Sequence, residues 1–167
     1  MAIIETLQGL VQSFGLAGLF VVVIIANATV FITIPIDLII VAPLAASGVY
    51  NPFLLGLVVG VGAAIGELTA YFVGLGGLKA LEKFESDKLQ GLHALKNRLK
   101  ENETKGMIII LLGAAFPFPF DLIGMAAGLA EYPLPKFFLS AALGKTIRFT
   151  VVSLAFFYGF EALKAFI

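Results

Sequence analysis

"GAAFPFPFDLIGMAAGL", residues 113–129, sets two prolines and an aspartate in the middle of an apolar run. Two readings compete for it. One is a single kinked helix, and the other is a helix broken on purpose. Proline removes a backbone donor and disfavours helix in the residue before it, so Phe116-Pro117-Phe118-Pro119 interrupts any helix across 106–131. Limbs of about ten residues remain on either side, each roughly 15 Å long at 1.5 Å rise per residue. A bilayer's hydrocarbon core is about 30 Å thick, so each limb reaches about halfway. The expectation is therefore a re-entrant hairpin that dips to the midplane, turns at Pro117 and Pro119, and returns. Irregular backbone at that depth needs cover from protein or a water-filled cavity. Topology separates the readings, because a hairpin leaves Lys105 and Lys136 on one side.

Composition decides the medium. The 167 residues are 60% hydrophobic and 13% charged, about half the charge of a typical soluble domain at about 25%. No charge falls between Glu5 and Asp37, nor between Asp37 and Glu67. Uncharged apolar stretches of more than roughly 18 residues read as membrane-embedded. The class expected is an all-α integral membrane protein in one unit. The chain has no cysteine and one histidine, His93, which argues against disulfides, thiol chemistry and His-based metal sites. No metal or cofactor and no nucleic-acid partner is expected at zero net charge. No Lys or Arg precedes Lys79, so a basic signal-peptide start is missing.

Seven of the eleven basic residues lie within 79–105, and the positive-inside rule places that segment in the cytoplasm. Leu81, Phe84, Leu92, Leu95 and Leu99 recur there at helical spacing, with breaks near Ser86-Asp87 and Gly91. The pattern predicts amphipathic helices on the inner membrane surface, with His93 as an interfacial or solvated side chain. Residues 53–77 and 137–160 are the spanning candidates. Gly56/Gly60 and Gly62/Gly66 are small-xxx-small pairs that let another helix come close.

An earlier stretch, "IPIDLIIVAPLAASG" at 34–48, has the same design as the later one. Pro35-Ile36-Asp37 stands where Pro119-Phe120-Asp121 stands 84 residues on, and Phe53 and Gly60 then fall on Phe137 and Gly144. Each half reads as a hairpin followed by one transmembrane helix. A single crossing separates the halves, so they form an inverted repeat, with the broken segments meeting at the midplane as in secondary transporters. The organisation expected is an interfacial segment over 1–14, a first repeat over 20–77, an amphipathic linker over 78–105 and a second repeat over 106–162. At the N-terminus two alternatives stay open. Residues 14–34 form either a full span or a hairpin limb, while Ile3, Ile4, Leu7, Leu10, Val11 and Phe14 make an apolar stripe.

Five ionisable residues lie in these apolar segments: Asp37, Glu67, Asp121, Lys145 and Arg148. Each costs at least about 2.5–3.5 kcal/mol at a helix centre, which makes it a functional candidate. Asp37 and Asp121 follow their prolines by two and suit N-capping of the returning limbs, with capping alone as the plain alternative. Gly60, Ala64, Glu67, Tyr71 and Gly74 share one helix face, so partners of Glu67 should come from the other half. Lys145 and Arg148, three apart, share a face of the second span. A buried ion pair would explain them; so would a polar cavity between the repeats. Three acids against two bases favour protonation of one carboxylate. An anionic headgroup would find its partners in Lys145 and Arg148, arginine binding phosphate as a fork.

These residues resemble a known pattern. Pro117 and Pro119, Ala126-Ala127-Gly128, Phe137-Phe138 and Gly144-Lys145…Arg148 are similar to the second half of the DedA/VTT (SNARE-associated) membrane protein superfamily, in particular its YqaA-like branch. "IPIDLII" and the later Glu67, Tyr71 and Gly74 resemble the family's acidic hairpin and its following helix, so the match covers about residues 25–160. The resemblance implies two opposed re-entrant hairpins and the movement of lipids across the bilayer: polyprenyl-phosphate carriers in bacterial relatives, phospholipids in eukaryotic scramblases. Proton-motive-force dependence is also a family theme. Two departures stand out. Phe116 and Phe120-Asp121 replace arginines that many members carry at the second turn, and Asn27 stands where relatives have an acidic residue. The function expected is a flippase- or scramblase-like lipid transporter with no covalent chemistry. Glu67, Asp37 and Asp121 are its proton-linked carboxylates, Lys145 and Arg148 its phosphate site, and membrane lipids its partners. The glycine faces also allow a homodimer. The alternatives are a membrane enzyme acting on a lipid phosphate and a membrane scaffold.

Overall fold

The two prolines of the quoted stretch do break the chain. In the computed structural model, which describes residues 2–29, 35–77, 94–95, 97–99 and 101–164, every regular element is helical. α1 covers Ala2–Ala28 and α2 Asp37–Ala46. α3, Pro52–Gly66, and α4, Leu68–Gly76, meet at Glu67. α5 is Glu103–Ala115, α6 Phe120–Leu129 and α7 Leu134–Lys164. α5 ends at Phe116, whose extended backbone (φ −97°, ψ 156°) is what a residue before proline adopts. The Phe118 amide then closes on the Phe116 carbonyl at 2.8 Å, and α6 starts after Pro119.

The later hairpin returns to where it began. Asn102 starts α5 by accepting from the Thr104 and Lys105 amides at 2.9 and 3.1 Å. The far end of the excursion comes back to that same place: the Tyr132 hydroxyl donates to the Glu103 carbonyl, and Lys136 pairs with Glu103. The 13 residues of α5 and ten of α6 give limbs of about 20 and 15 Å. Between α6 and α7 the chain turns on Glu131, which takes φ 51°. The Tyr132 amide bonds the Ala127 carbonyl and the Glu131 amide bonds the Gly128 carbonyl, a Schellman end.

α1 kinks at Gly15 (φ 58°, ψ −132°), a conformation that only glycine takes without strain. Its inner part, Ser13–Ala28, is an apolar helix of 16 residues, and the rest of the 14–34 segment, residues 30–34, lies outside the described residues. A side chain at Gly15 would meet the Tyr50 hydroxyl at 3.3 Å, so the chain after α2 comes back to the level of this kink. Of the N-terminal stripe, Val11 is buried and Phe14 exposed; the side chains of Ile3, Ile4, Leu7 and Leu10 lie outside the described set. The first turn and a half of α2, Asp37–Val41, is wound as a π-helix. Pro43 explains it: the ring crowds the Ile39 carbonyl and offers no amide, and the preceding turn widens to accommodate it.

One expectation needs correction. Neither returning limb is N-capped by its aspartate. Ile36 and Pro119 occupy the cap positions without a side-chain hydrogen bond, and Asp37 and Asp121 sit inside the first turn. There they still complement the helix dipole. Asp37 gives its carboxylate to a residue 111 positions away instead.

Two long helices, Pro52–Gly76 and Leu134–Gly159, are apolar enough to cross a membrane. Their 25 and 26 residues measure about 38 Å, ample for a core of about 30 Å. They cross at glycine. A side-chain carbon on Gly60 would lie 2.5 Å from Thr146 backbone atoms, and one on Gly56 2.6 Å from the Thr150 Cα. Gly62 and Gly66 admit Phe20, Ile24 and Asn27 of α1, while Gly128 sits against the Tyr71 carbonyl. Each outgoing limb packs on its own half's long helix: α1 on α3, α5 on α7. Each returning limb packs on the other half's: α2 on α7, α6 on α4. The two apolar cores interlock in the same way, Tyr71 entering the second and Phe149 the first. Leu95 and Leu99 of the linker pack on the second core. Leu81, Phe84, Leu92 and His93, with the rest of the surface-helix expectation over 78–93, lie outside the described residues.

Candidate functional site

Between the starts of α2 and α6, the α3–α4 junction and α7, the structure forms a cavity of about 210 Å³. All five ionisable residues of the apolar segments line it: Asp37 from α2, Asp121 from α6, Glu67 from the α3–α4 junction, and Lys145 and Arg148 from α7. They come from sites up to 111 residues apart in sequence. Pro35 and Pro119 line it as well, together with Asn27, Phe118 and Phe120; Pro117 lies just outside, on a neighbouring groove.

Two ion pairs organise the walls. Lys145 Nζ donates to Glu67 Oε1 at 2.8 Å, and both residues are buried, 3% and 5% exposed. The second pair joins Arg148 Nη2 to Asp37 Oδ2. Its two side chains remain about a quarter exposed, at 23% and 24%. The two pairs differ in what breaking them would cost. A buried pair stranded by loss of a partner leaves an uncompensated charge, whereas a part-exposed pair can trade one oxygen anion for another. The Glu67–Lys145 pair is the buried one and the Asp37–Arg148 pair the accessible one.

Local chemistry sharpens the assignments. Glu67 Oε2 is buried without a hydrogen-bond partner among the described residues. Lys145 also sits 4.9 Å above the Phe120 ring, a cation–π contact that holds the ammonium in a place with little water. Arg148 lies 5.4 Å from the Phe149 ring. Asn27, where an acid was expected from the resemblance, donates its amide to the Val23 carbonyl at 2.9 Å. Its place on the cavity wall keeps that position at the site, as an uncharged group.

Sequence spacing brought out the five charges and the face of Glu67. It did not bring out Phe120. The aromatic stands next to Asp121 in a run with Phe116 and Phe118, and nothing in the spacing marks one of the three as the platform under a lysine. Phe120 is buried and stacks at 6.1 Å on Phe137, while Phe116 and Phe118 are exposed.

One buried and one part-exposed ion pair thus line a cavity between helices long and apolar enough to cross a membrane. The family model of the VTT domain matches residues 34–158, three quarters of the chain. The protein belongs to the VTT-domain family, the domain of the DedA membrane proteins. No curated protein and no solved structure matches it significantly.

Proposed function

We propose that the chain moves phosphate-bearing lipids, such as a polyprenyl phosphate or a phospholipid, across the bilayer in the manner of a flippase or scramblase. The single observation that carries this reading is the convergence of Asp37, Glu67, Asp121, Lys145 and Arg148 on one cavity. In hydrocarbon such a set is costly, which makes each member a functional candidate. Lys145 and Arg148 receive the phosphate, and protonation of Glu67, Asp37 or Asp121 balances the charge as it enters. Catalysis of a covalent step is no part of the reading.

The topology proposed is two re-entrant hairpins entering from opposite leaflets, related as inverted repeats, in a multi-pass cell-membrane protein. The return of the second excursion from Glu103 to Lys136 supports it. So does the exchange of limbs between halves, and the shortness of the limbs against about 30 Å of hydrocarbon. The basic segment 79–105 then faces the cytoplasm. Pro117, Pro119 and Gly144-Lys145…Arg148 support placing the chain in the YqaA-like branch.

Purified protein in liposomes tests the transport. Vesicles with a headgroup-labelled phospholipid or a polyprenyl phosphate should exchange it between leaflets faster than protein-free vesicles, and a pH gradient should change the rate. Arg148→Ala should lower the exchange by about ten- to a hundredfold, the weight of one charge-assisted hydrogen-bonding group. Equal exchange with and without protein, for both lipids and with the gradient in place, would overturn the reading.

A further inference from the structure

A second cavity adjoins the first along α7, sharing Asp37 and Arg148 with it. It measures about 450 Å³ and is lined by Phe116, Pro117, Ile147 and Val151, with Asp37 and Arg148 at one end. Those last two residues are common to both cavities, so the Asp37–Arg148 pair stands in the wall between them. Apart from the pair, the groove is apolar. It opens on the outer face of α7, where Leu139, Leu143, Ile147 and Val151 recur every four residues and are each more than half exposed.

We propose that this groove seats the hydrocarbon chain of an anionic lipid, and that Asp37 is an internal stand-in for its phosphate, displaced from Arg148 when the lipid binds. The inference rests on the lipid-transport reading and adds to it a path for the tail and a door for the head. Charge placement selects the occupant. A ligand with one anionic end and one apolar chain satisfies Arg148 and the groove together, and a free phosphate has no use for the groove. A part-exposed ion pair is also the right kind of door. It holds the cavity closed against hydrocarbon when empty, and it opens by swapping one oxyanion on the guanidinium for another.

Two consequences follow from the arithmetic of competition. Asp37 reduces apparent affinity by the fraction of time that it occupies Arg148, so removing its charge should tighten binding of a chain-bearing phosphate. Filling the groove should weaken that ligand and leave inorganic phosphate alone.

The experiment uses the full-length protein in nanodiscs and a long-chain alkyl phosphate with a photoreactive diazirine in its chain. Labelling should map to the peptides around Ile147–Val151 and Phe116–Pro117, and unlabelled alkyl phosphate should compete while inorganic phosphate at the same concentration does not. Asp37→Asn should raise affinity for the alkyl phosphate by about threefold or more. Val151→Trp should lower labelling by about tenfold, and Leu143→Trp, on the same exposed stripe outside the groove, should leave it unchanged. Labelling spread evenly along the stripe, equal effects of the two tryptophans, or weaker binding by Asp37→Asn would overturn the proposal. Leaflet exchange that persists beside such a result would leave the transport reading standing; specific labelling without exchange would overturn transport alone.

Discussion

Lys145→Met should lower stability in mild detergent by about 3–5 kcal/mol, the cost of stranding a buried carboxylate without its partner. Glu67 is 5% exposed, its Oε1 has the lysine at 2.8 Å, and its Oε2 has no hydrogen-bond partner among the described residues. Adding Glu67→Gln to Lys145→Met should return most of that stability, since a buried ion pair replaced by neutral groups of similar size is often neutral or stabilising. Lipid exchange should not return. That split separates a structural pair from a working one. Thermal unfolding of the three variants, beside leaflet exchange in liposomes, reads both halves of the expectation. A double variant that transports normally would leave the pair with a packing role only.

The second large effect is steric. Gly60→Val should cost about 3 kcal/mol or more, at or above the usual range for overpacking, because the obstacle is backbone. Its side chain would start 2.5 Å from the Thr146 N and Cα, where α3 and α7 cross. Helices in a bilayer gain little from hydrophobic burial against each other, so close contact at small residues carries much of their association. Gly159→Ala is the control: nothing lies within 4 Å of that position, and in a helix interior alanine should gain about 0.5–1 kcal/mol. Size-exclusion profiles of the two proteins should differ accordingly, with loss of a monodisperse peak for Gly60→Val alone.

Much of the architecture was legible because its causes are local. Prolines at 117 and 119 remove two backbone donors and restrict the residues before them, and the 33 positions from Glu103 to Lys136 are too few for two full crossings of about 20 residues each. Helical arithmetic put Gly60, Glu67, Tyr71 and Gly74 on one face, and in the structure that face meets the second half at Thr146, Lys145, Tyr132 and Met125. What escaped was non-local. The aspartates suited capping by sequence position, yet Asp37 pairs with Arg148, and a local rule has no knowledge of a guanidinium arriving from 111 residues away. The kink at Gly15 was hidden for another reason, since a glycine in an apolar run is compatible with a straight helix. The π-wound turn at Asp37–Val41 had a cause in view, Pro43, but whether a proline kinks, ends or widens a helix depends on what packs around it.

The opposed hairpins are the centre of the account, and the chain is suited to a direct test because it contains no cysteine. Single cysteines at positions 49, 105 and 136, probed with a membrane-impermeant maleimide in sealed vesicles of known orientation, report which compartment each position faces. Lys105→Cys and Lys136→Cys should react from the same, cytoplasmic side, and Val49→Cys from the opposite one. If positions 105 and 136 react from different sides, the segment between them crosses the membrane, and the cavity built at its turn loses its place in the bilayer.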